Sequence, residues 1–449
     1  MRDLLMMTAE RAARYLEGLD TRGVAPTPAA VAGLAALDQP LPEHPTEPSE
    51  VLELLDTVVG PATVAFSGRR FFGFVAGGSL PATVAANWLA GVWDQNAVYW
   101  SVTPAPAALE AVALRWLLDL FGLPAGCAGA FVTGATVANF TALAAARHAV
   151  LAREGWNVEA DGLYGAPPLT VVVGDEVHPS VRKALGMLGL GRNRVVVVEA
   201  DGQGRLRADR LPAMTGPTIV CTQVGNVNTG ACDDVAEVCA RVRDAGAWVH
   251  VDGAFGLWAA AAPARAHLTR GVGQADSWAT DAHKWLNVPF DSGLAFVRDG
   301  EALRSAMAVT AEYLPPSGDR RNPGEYTPEL SRRGRGAEVW AALRQLGRSG
   351  LGDLVEGNCR LARRFADALS AAGCEILNDV VLNQVLVSFG APDVTTRLIA
   401  ALQADGTCWC GGTVWQGRTA MRISVSSWAT TEADVDRSVA AMLRLAATC

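Results

Sequence analysis

The chain has 449 residues, of which half are hydrophobic and 19% are charged, so it can bury a large core and is not intrinsically disordered. Its 46 acidic residues outnumber its 38 basic residues, and the formal net charge at pH 7 is −8. This balance argues against a nucleic-acid-binding protein, which needs clustered positive charge.

The first 80 residues are predicted to form an arm with little core of its own. A helix is predicted from Ala9 to Leu19, and six prolines between residues 26 and 48 disfavour long helices after it. Met1 to Glu10 carries charges and lacks the apolar stretch of a signal peptide. We therefore expect a cytoplasmic protein whose N-terminal arm packs on something else.

Residues 81–340 are predicted to form a large α/β domain. Short apolar runs that are nearly unbroken are typical of strands covered on both faces, as in a parallel sheet. Four such runs occur, at 169–173, 194–198, 218–222 and 247–251. Helical patterns lie at 137–152, 180–188 and 235–245. The alternation of strands and helices predicts a doubly wound, mostly parallel sheet.

Residues 341–449 are predicted to form a smaller α+β domain. The stretch before it, 314–335, is rich in proline and arginine and is predicted to be a long exposed loop. The predicted elements of the small domain are helices at 354–371 and 432–445 and strands at 384–389 and 422–426. No stretch approaches the roughly 18 consecutive apolar residues of a membrane span.

The cysteines predict neither a disulfide framework nor a metal centre. Nine cysteines, an odd number, are spread over the whole chain, which favours reduced thiols. Cys408 and Cys410 are separated by one residue and lack the second pair of ligands that a structural zinc site needs.

Residues suited to chemistry follow the predicted strands. In an open α/β sheet, ligands bind at the carboxyl ends of the strands. His178 follows the first apolar run and Asp252 follows the fourth, while Lys284, one of only two lysines, precedes a further run at 294–297. The stretch 131–139 predicts a strand that turns into a helix. We therefore expect a histidine, a carboxylate, an amine and a helix N-terminus at one edge of the sheet.

Each of these features also has an ordinary structural interpretation. His178, Asp252 and the threonines of the 133–136 turn could be helix caps, and Lys284 could be a surface lysine. The functional interpretation of the turn is an anion site made of backbone N–H groups. Together the features suit pyridoxal phosphate, which needs an amine, an acid for its ring nitrogen, an anion site and a flat partner for its ring.

The same motifs resemble those of the pyridoxal-phosphate-dependent group II amino-acid decarboxylases, the family of the aromatic-amino-acid, histidine and glutamate decarboxylases. The resemblance covers about residues 71–428. It is carried by TGATVAN at 133–139, DEVHPS at 175–180, GNVNTGA at 225–231, HVDGA at 250–254 and DAHKWLNVP at 281–289. It implies the fold type I of pyridoxal-phosphate enzymes and a homodimer in which the arm packs on the partner subunit.

The resemblance also implies roles for individual residues. Lys284 is implied as the lysine that forms the Schiff base with the cofactor, Asp252 as the partner of the pyridine nitrogen, and His178 as the histidine that stacks on the ring and supports catalysis. Tyr313 is implied as the proton donor to the substrate Cα. The other implied cofactor contacts are Gly134, Ala135, Thr136, Ala254 and His283.

The implied reaction is decarboxylation of an L-amino acid to the amine and carbon dioxide. One alternative is an enzyme of the same fold that diverts the quinonoid intermediate to another outcome, such as oxidative deamination. A second is a non-catalytic dimeric binding protein, against which the intact Lys284 and Asp252 argue. The chain departs from the family in three places. Its turn at 133–136 is Thr-Gly-Ala-Thr, where family members often carry Ser/Thr-Gly-Gly or Ser-Ala-Ser. Gly225-Asn226-Val227 replaces a Gly-Thr-Thr segment, and Asp281 replaces the asparagine of some relatives, which is unusual beside a phosphate unless it faces elsewhere.

The substrate is left open by the sequence. Four aromatic residues favour an apolar or aromatic amino acid, although they could equally be ordinary core residues. They are Phe71, Phe72, Phe74 and Trp100. Arg69 and Arg70 suit an acidic substrate, because a guanidinium group binds a second carboxylate well.

Overall fold

The structure is a computed structural model that describes residues 1–309 and 320–449. Its α-helices are α1 Arg2–Gly18, α2 Pro28–Gly33, α3 Pro48–Leu54, α4 Gly60–Ala62, α5 Pro81–Trp93, α6 Pro104–Phe121, α7 Ala135–Ala152, α8 Val158–Asp161, α9 Pro179–Met187, α10 Val235–Val242, α11 Gly300–Met307, α12 Gly336–Ala371, α13 Pro392–Asp405 and α14 Glu432–Ala446. Its strands are β1 Ala128–Val132, β2 Thr170–Gly174, β3 Val196–Val198, β4 Thr218–Gln223, β5 Trp248–Asp252, β6 Ser277–Asp281, β7 Gly293–Val297, β8 Glu375–Ile376, β9 Gln384–Ser388, β10 Gly411–Trp415 and β11 Arg418–Ser424.

The chain divides into two compact units. The large unit contains Ser79–Arg360 and Asn378–Gln384. The small unit contains Met1–Gly78, Leu361–Leu377 and Val385–Cys449. No helix within the two described ranges is long and apolar enough to cross a membrane.

The large unit is organised around a seven-stranded sheet in the order β1-β7-β6-β5-β4-β2-β3. β7 is antiparallel to both of its neighbours, β1 and β6, whereas the pairs among β6, β5, β4, β2 and β3 are parallel. The prediction of an α/β fold with a mostly parallel sheet is confirmed. The parallel strands align their carboxyl ends at one edge, where ligands bind in such sheets.

Helix α7 packs against the centre of this sheet, on β5, β6 and β7. Its inward face consists largely of alanines, and Ala138, Ala142 and Ala145 are fully buried against Val132 and Ala279 of the strands. Because alanine side chains are small, the helix backbone can lie close to the sheet. This packing brings the N-terminus of α7 to the carboxyl ends of the strands.

The small unit contains a four-stranded sheet in the order β10-β11-β9-β8, in which the pairs β10–β11 and β8–β9 are antiparallel. Next to it, the backbone of Phe72 donates to Trp409 O at 2.8 Å, and Trp409 donates to Arg70 O at 3.0 Å. The ring of Phe71 stacks on Trp409 with centroids 5.0 Å apart. Phe71 and Phe72 are buried, as the core interpretation of these aromatics expects.

Most predicted elements lie within a few residues of the observed ones, but two helices differ. The first helix begins at Arg2 rather than Ala9, because residues 2–8 contain no proline or glycine to stop it. The helix predicted to begin at residue 354 is the C-terminal part of α12, which begins at Gly336 and is interrupted at Gly347 (φ 60°, ψ −174°). A residue with these φ and ψ angles is not helical, so α12 consists of two helical segments that meet at Gly347, and the predicted helix lies in the second segment.

The prediction of an exposed loop at 314–335 is wrong for much of its described part, residues 320–335. Arg332 has a fully buried side chain that pairs with Glu110 at 2.7 Å. Its guanidinium donates to Ala97 O and Phe131 O, each at 2.7 Å. Asn322 and Arg335 are buried as well. These arginines are buried because carbonyl and carboxylate oxygens compensate their charge, which composition alone does not reveal.

Candidate active site

The carboxyl ends of β5 and β6 and the N-terminus of α7 form the candidate active site. β5 ends at Asp252 and β6 ends at Asp281, on neighbouring parallel strands. The backbone N–H of Asp281 donates to Ala254 O at 2.8 Å, which ties the segment after β6 to the segment after β5. Lys284 follows three residues after Asp281. All of these residues belong to the large unit.

The N-terminus of α7 already receives a carboxylate. The first intrahelical hydrogen bond runs from Ala138 N–H to Gly134 O, and the N–H of Ala135 donates instead to Asp281 Oδ1 at 2.6 Å. A helix N-terminus favours negative charge through its free N–H groups and its dipole. Asp281 therefore faces the predicted anion site and not away from it.

The turn before α7 needs a glycine on the strand beside it. A Cβ atom on Gly293, the first residue of β7, would lie 2.4 Å from Gly134 Cα. No side chain can be accommodated at that distance, so glycine at 293 lets β7 pass directly against the turn. The close packing fixes the position of the first N–H groups of α7.

Lys284 and His283 lie around the carboxylate of Asp281. Lys284 Nζ is 3.0 Å from Asp281 Oδ2, and His283 Nε2 is 3.7 Å from the same oxygen. The His283 ring stacks on Phe290 with centroids 4.3 Å apart, and its Nδ1 faces the N–H of Ser292 at 3.4 Å. Burial lowers the pKa of His283, which favours its neutral form at pH 7.

Asp252 is a buried carboxylate with acceptor capacity to spare. Its Oδ1 accepts from the N–H of Ala254 at 3.2 Å, and its Oδ2 accepts from Asn139 Nδ2 at 3.2 Å. An ionised carboxylate has about four lone-pair sites, so two such bonds leave room for a third donor. A protonated ring nitrogen is a donor of that kind.

His178 is the N-cap residue of α9, as the capping interpretation expects. Its Nδ1 accepts from the N–H of Ser180 at 3.2 Å and lies 2.7 Å from Ser180 Oγ. An Nδ1 that accepts from a backbone N–H carries no proton, so the neutral ring is protonated on Nε2. The cap holds the imidazole in one orientation and one tautomer, which a stacking role also requires.

Two polar residues of the site were missed by the sequence analysis. Asn139 is fully buried on α7 and connects Asp252 to Ser180, with its Nδ2 3.3 Å from Ser180 Oγ. Ser292 is buried beside His283, and its Oγ has no hydrogen-bond partner among the described residues. The available signal was an amide at 139 within an alanine-rich helix, since a buried amide needs partners.

The residues present fit pyridoxal phosphate. The amine of Lys284 and the carboxylate of Asp252 are linked through Ala254, whose N–H bonds Asp252 and whose carbonyl bonds the segment that carries Lys284. Asp281 takes the N–H of Ala135, and the other N–H groups of the first turn of α7 suit a phosphate. The hydroxyl of Ser292 is a further donor without a described partner.

Other predicted residues lie apart from this arrangement or outside the described ranges. Tyr313 falls among residues 310–319 and lies outside the described residues. Arg69 pairs with Asp20 at 2.9 Å, and Arg70 pairs with Asp434 at 3.3 Å within the small unit. Both arginines are thus engaged by carboxylates of the chain itself.

The model of the pyridoxal-dependent decarboxylase conserved domain matches residues 32–391. The chain belongs to the pyridoxal-dependent decarboxylase family. The fold is that of fold type I, as the resemblance implied. The chain is a decarboxylase of amino acids that uses pyridoxal 5′-phosphate.

Individual proteins of known activity or structure support the same assignment. The decarboxylase is 28% identical to an aromatic-L-amino-acid decarboxylase of Bacillus atrophaeus over 75% of this chain and 70% of that protein. It is 30% identical to an aspartate 1-decarboxylase of Aliivibrio fischeri over 74% of this chain and 65% of that protein. The crystal structure of Oryza sativa TDC with PLP and tryptamine has a TM-score of 0.92 at 24% identity, covering 100% of this chain and 97% of that one. Aldehyde synthases are also among the relatives.

Proposed function

We propose that this decarboxylase acts on an L-amino acid with an apolar or aromatic side chain, with Lys284, Asp252, His178 and Tyr313 as its catalytic residues. The arrangement of Lys284 and Asp252 around Ala254 carries the proposal. Lys284 Nζ lies 3.0 Å from Asp281, the residue that bonds the Ala254 carbonyl, and Asp252 accepts the Ala254 N–H at 3.2 Å.

Pyridoxal phosphate, when bound, supplies an electron sink for the electron pair of the breaking bond between Cα and the carboxylate. Lys284 would hold the cofactor covalently through Nζ and would leave it when the substrate amine enters. Asp252 would accept a hydrogen bond from the protonated ring nitrogen and hold that proton in place. Because Asp252 is 4% exposed, water competes little for this bond.

Further residues would bind and orient the cofactor. Ala254 would pack under the ring, and His178 would stack on the other face in the orientation that Ser180 fixes. The phosphate would bind the N-terminus of α7, at the residues that the resemblance implies. They are Gly134, Ala135, Thr136 and, from the neighbouring loop, His283.

Tyr313 would return a proton to the substrate Cα after carbon dioxide has left. Its support is the resemblance in sequence alone. A general acid of this type contributes to the rate by placing a proton at the atom that receives it.

The substrate preference is supported by the Bacillus atrophaeus relative and by the two arginines, whereas the Aliivibrio fischeri relative is an aspartate decarboxylase. The Bacillus atrophaeus relative is an aromatic-amino-acid decarboxylase, and it matches over most of the chain. Arg69 and Arg70 were the residues that suited an acidic substrate, and both pair with carboxylates of the small unit. An acidic substrate would have to displace these internal partners.

We further propose a homodimer in the cytoplasm, in which the arm of residues 1–80 packs on the partner subunit. One face of α5 carries Trp88, Leu89, Val92 and Trp93, which are 43%, 52%, 66% and 48% exposed. Contiguous exposed apolar surface of this kind marks interaction sites. A monomeric mass at working concentration in a fully active enzyme would contradict the dimer.

The nine free thiols support the cytoplasm, which is a reducing compartment.

The reaction is tested by carbon dioxide release from a panel of L-amino acids, with product analysis on each substrate. We expect release from tryptophan, tyrosine, phenylalanine or an aliphatic amino acid, with one amine formed per carbon dioxide. Aldehyde and ammonia in place of amine would favour the diverted reaction that the aldehyde synthases suggest. Release from aspartate or glutamate alone would contradict the substrate class.

The role of Lys284 is tested by borohydride reduction of the holoenzyme. We expect the cofactor on a peptide that contains Lys284, and no label in Lys284→Ala. Lys183 is exposed and is the other lysine of the chain, so Lys183→Ala is the matched control and should be labelled as the wild type is. A label on Lys183 would contradict the assignment.

A further inference from the structure

Asn139 is at the centre of a buried hydrogen-bond network behind the candidate active site. Its side chain is fully buried, and its Nδ2 lies 3.2 Å from Asp252 Oδ2 and 3.3 Å from Ser180 Oγ. Its Oδ1 lies 2.8 Å from His250 Nε2. The amide has two donors and one carbonyl oxygen, and all three have a partner.

The direction of these hydrogen bonds follows from Asp252. A carboxylate only accepts, so the group of Asn139 that faces it must be the NH2 group. The carbonyl oxygen of Asn139 then faces His250 and must accept from Nε2–H. His250 is fully buried, and burial lowers its pKa to about 3, so the ring is neutral with one proton on Nε2.

The other side of His250 agrees with this tautomer. Its Nδ1 lies 2.9 Å from Ser277 Oγ, and Ser277 Oγ accepts from Trp248 Nε1 at 2.8 Å. Since the indole N–H can only donate, the hydroxyl proton of Ser277 is available for His250 Nδ1. The network therefore has one direction, from Trp248 through Ser277, His250 and Asn139 to Asp252.

A second branch leads from Asn139 to His178. Ser180 Oγ accepts from Asn139 Nδ2 at 3.3 Å and lies 2.7 Å from His178 Nδ1. With its oxygen taken by the amide, the Ser180 hydroxyl donates to Nδ1. One NH2 hydrogen of Asn139 thus bonds directly to Asp252, the residue proposed to hold the ring nitrogen. The other reaches His178, the residue proposed to stack on the ring, through the hydroxyl of Ser180.

We propose that Asn139 is the positioning residue that sets Asp252 and His178 together, holding Asp252 as a hydrogen-bond acceptor and His178 in the Nε2–H tautomer. The proposal rests on the proposed function of those two residues. Asn139 acts through them, and its position is fixed from behind by His250. Networks in which every polar atom is satisfied hold a unique geometry, which is what a preorganised site needs.

The test is the nearly isosteric variant Asn139→Asp, studied as holoenzyme. It places a second carboxylate about 3 Å from Asp252, and two carboxylates at that distance share a proton. We expect the dissociation constant of pyridoxal phosphate to rise by roughly tenfold or more, because the shared proton weakens Asp252 as the acceptor for the ring nitrogen. We also expect the visible absorption of the bound cofactor to shift, with a changed pH dependence.

Thr141→Val is the matched control for this variant. Thr141 lies on the same helix, is fully buried, and its hydroxyl has no hydrogen-bond partner among the described residues. It should leave the dissociation constant and the absorption spectrum as in the wild type. An equal shift in Thr141→Val and Asn139→Asp would assign the effect to the packing of α7 and overturn the proposal.

A second variant, Ser180→Ala, keeps the test decisive if Asn139→Asp does not fold. It removes only the branch to His178, and we expect a smaller shift of the cofactor absorption and a smaller rise of the dissociation constant. Wild-type values for every folded variant of Asn139 and Ser180 would overturn the proposal. Borohydride labelling separates this result from failure of the proposed function, because a wild type without label on Lys284 contradicts the function itself.

Discussion

The large unit contains two buried polar clusters that are stabilised in different ways. The amide–imidazole cluster consists of Asn139, His250, Ser277 and Trp248 and ends at Asp252. The carboxylate–guanidinium cluster consists of Glu110, Arg321 and Arg332, with Glu110 and Arg332 fully buried side chains. The first orients one carboxylate with neutral groups, and the second balances full charges.

The difference shows in the contacts of the two carboxylates. Asp252 accepts two directed hydrogen bonds and keeps capacity for a ligand. Glu110 lies 2.7 Å from Arg332 and 3.5 Å from Arg321, and its oxygens lack hydrogen-bond geometry with described partners. Arg332 and Arg321 also donate to carbonyl oxygens of Ala97, Phe131 and Gly129. The carboxylate proposed to bind the cofactor is oriented by directed hydrogen bonds from neutral groups. The carboxylate that anchors the segment 320–335 is stabilised by the opposite charges of two arginines.

Removing the central charge of the second cluster should have the largest effect. In Glu110→Ala, two largely buried guanidinium groups lose their counter-ion, and such a loss typically costs about 3–5 kcal/mol. We expect a large fall in the midpoint of urea unfolding. The conservative Glu110→Gln keeps the shape of the side chain and removes its charge. Its midpoint of urea unfolding should therefore fall nearly as far as that of Glu110→Ala. If both variants unfold at the wild-type urea concentration, charge balance does not stabilise this cluster.

Acid should break the first cluster through His250. The folded pKa is about 3 against 6.5 for an ordinary histidine, so the unfolded chain takes up a proton below pH 6.5 that the folded chain does not. The stability that neutral His250 contributes to the fold is therefore fully present above pH 6.5 and is lost as the pH falls toward 3. The loss from this residue is about 2 kcal/mol at pH 5.

The variant His250→Gln removes this proton uptake and keeps an N–H for Asn139. Its unfolding midpoint, measured against the wild type at pH 7.5 and pH 5, should fall less on acidification than that of the wild type. His44 is exposed, and His44→Gln is the control that should retain the wild-type dependence on pH. Equal acid sensitivity in His250→Gln and the wild type would show that His250 accepts a proton in the folded state.

The first cluster and its surroundings could be predicted in part. The strands that end at Asp252 and Asp281 were visible as apolar runs, because both faces of a parallel sheet are covered, and the residues after them follow from the geometry of such sheets. The partners of Asn139 could not be found, because they lie 41, 111 and 113 residues away in the chain. Periodicity detects which residues are buried and not which buried polar groups meet.

The second cluster could not be predicted at all. Arg321 and Arg332 lie in a stretch whose prolines and charges are typical of an exposed loop, and their partner Glu110 lies on a largely apolar helix. A buried arginine and an exposed arginine look alike in a single sequence, since only the fold supplies the compensating oxygens. The helical segment of α12 before Gly347 was missed as well, because the glycine separates it from the segment that was predicted.

An exposed ion pair should sharpen the contrast by having almost no effect. Arg348 pairs with Asp119 in the same unit, but their side chains are 62% and 75% exposed. Water and salt screen such a pair, and holding two long side chains in place costs entropy, so exposed pairs contribute about 0–1 kcal/mol. Arg348→Ala should therefore unfold within about 1 kcal/mol of the wild type, and any difference should vanish in high salt. If Arg348→Ala lost as much unfolding free energy as Glu110→Ala, at low and at high salt, burial would not be what distinguishes the carboxylate–guanidinium cluster from an exposed ion pair.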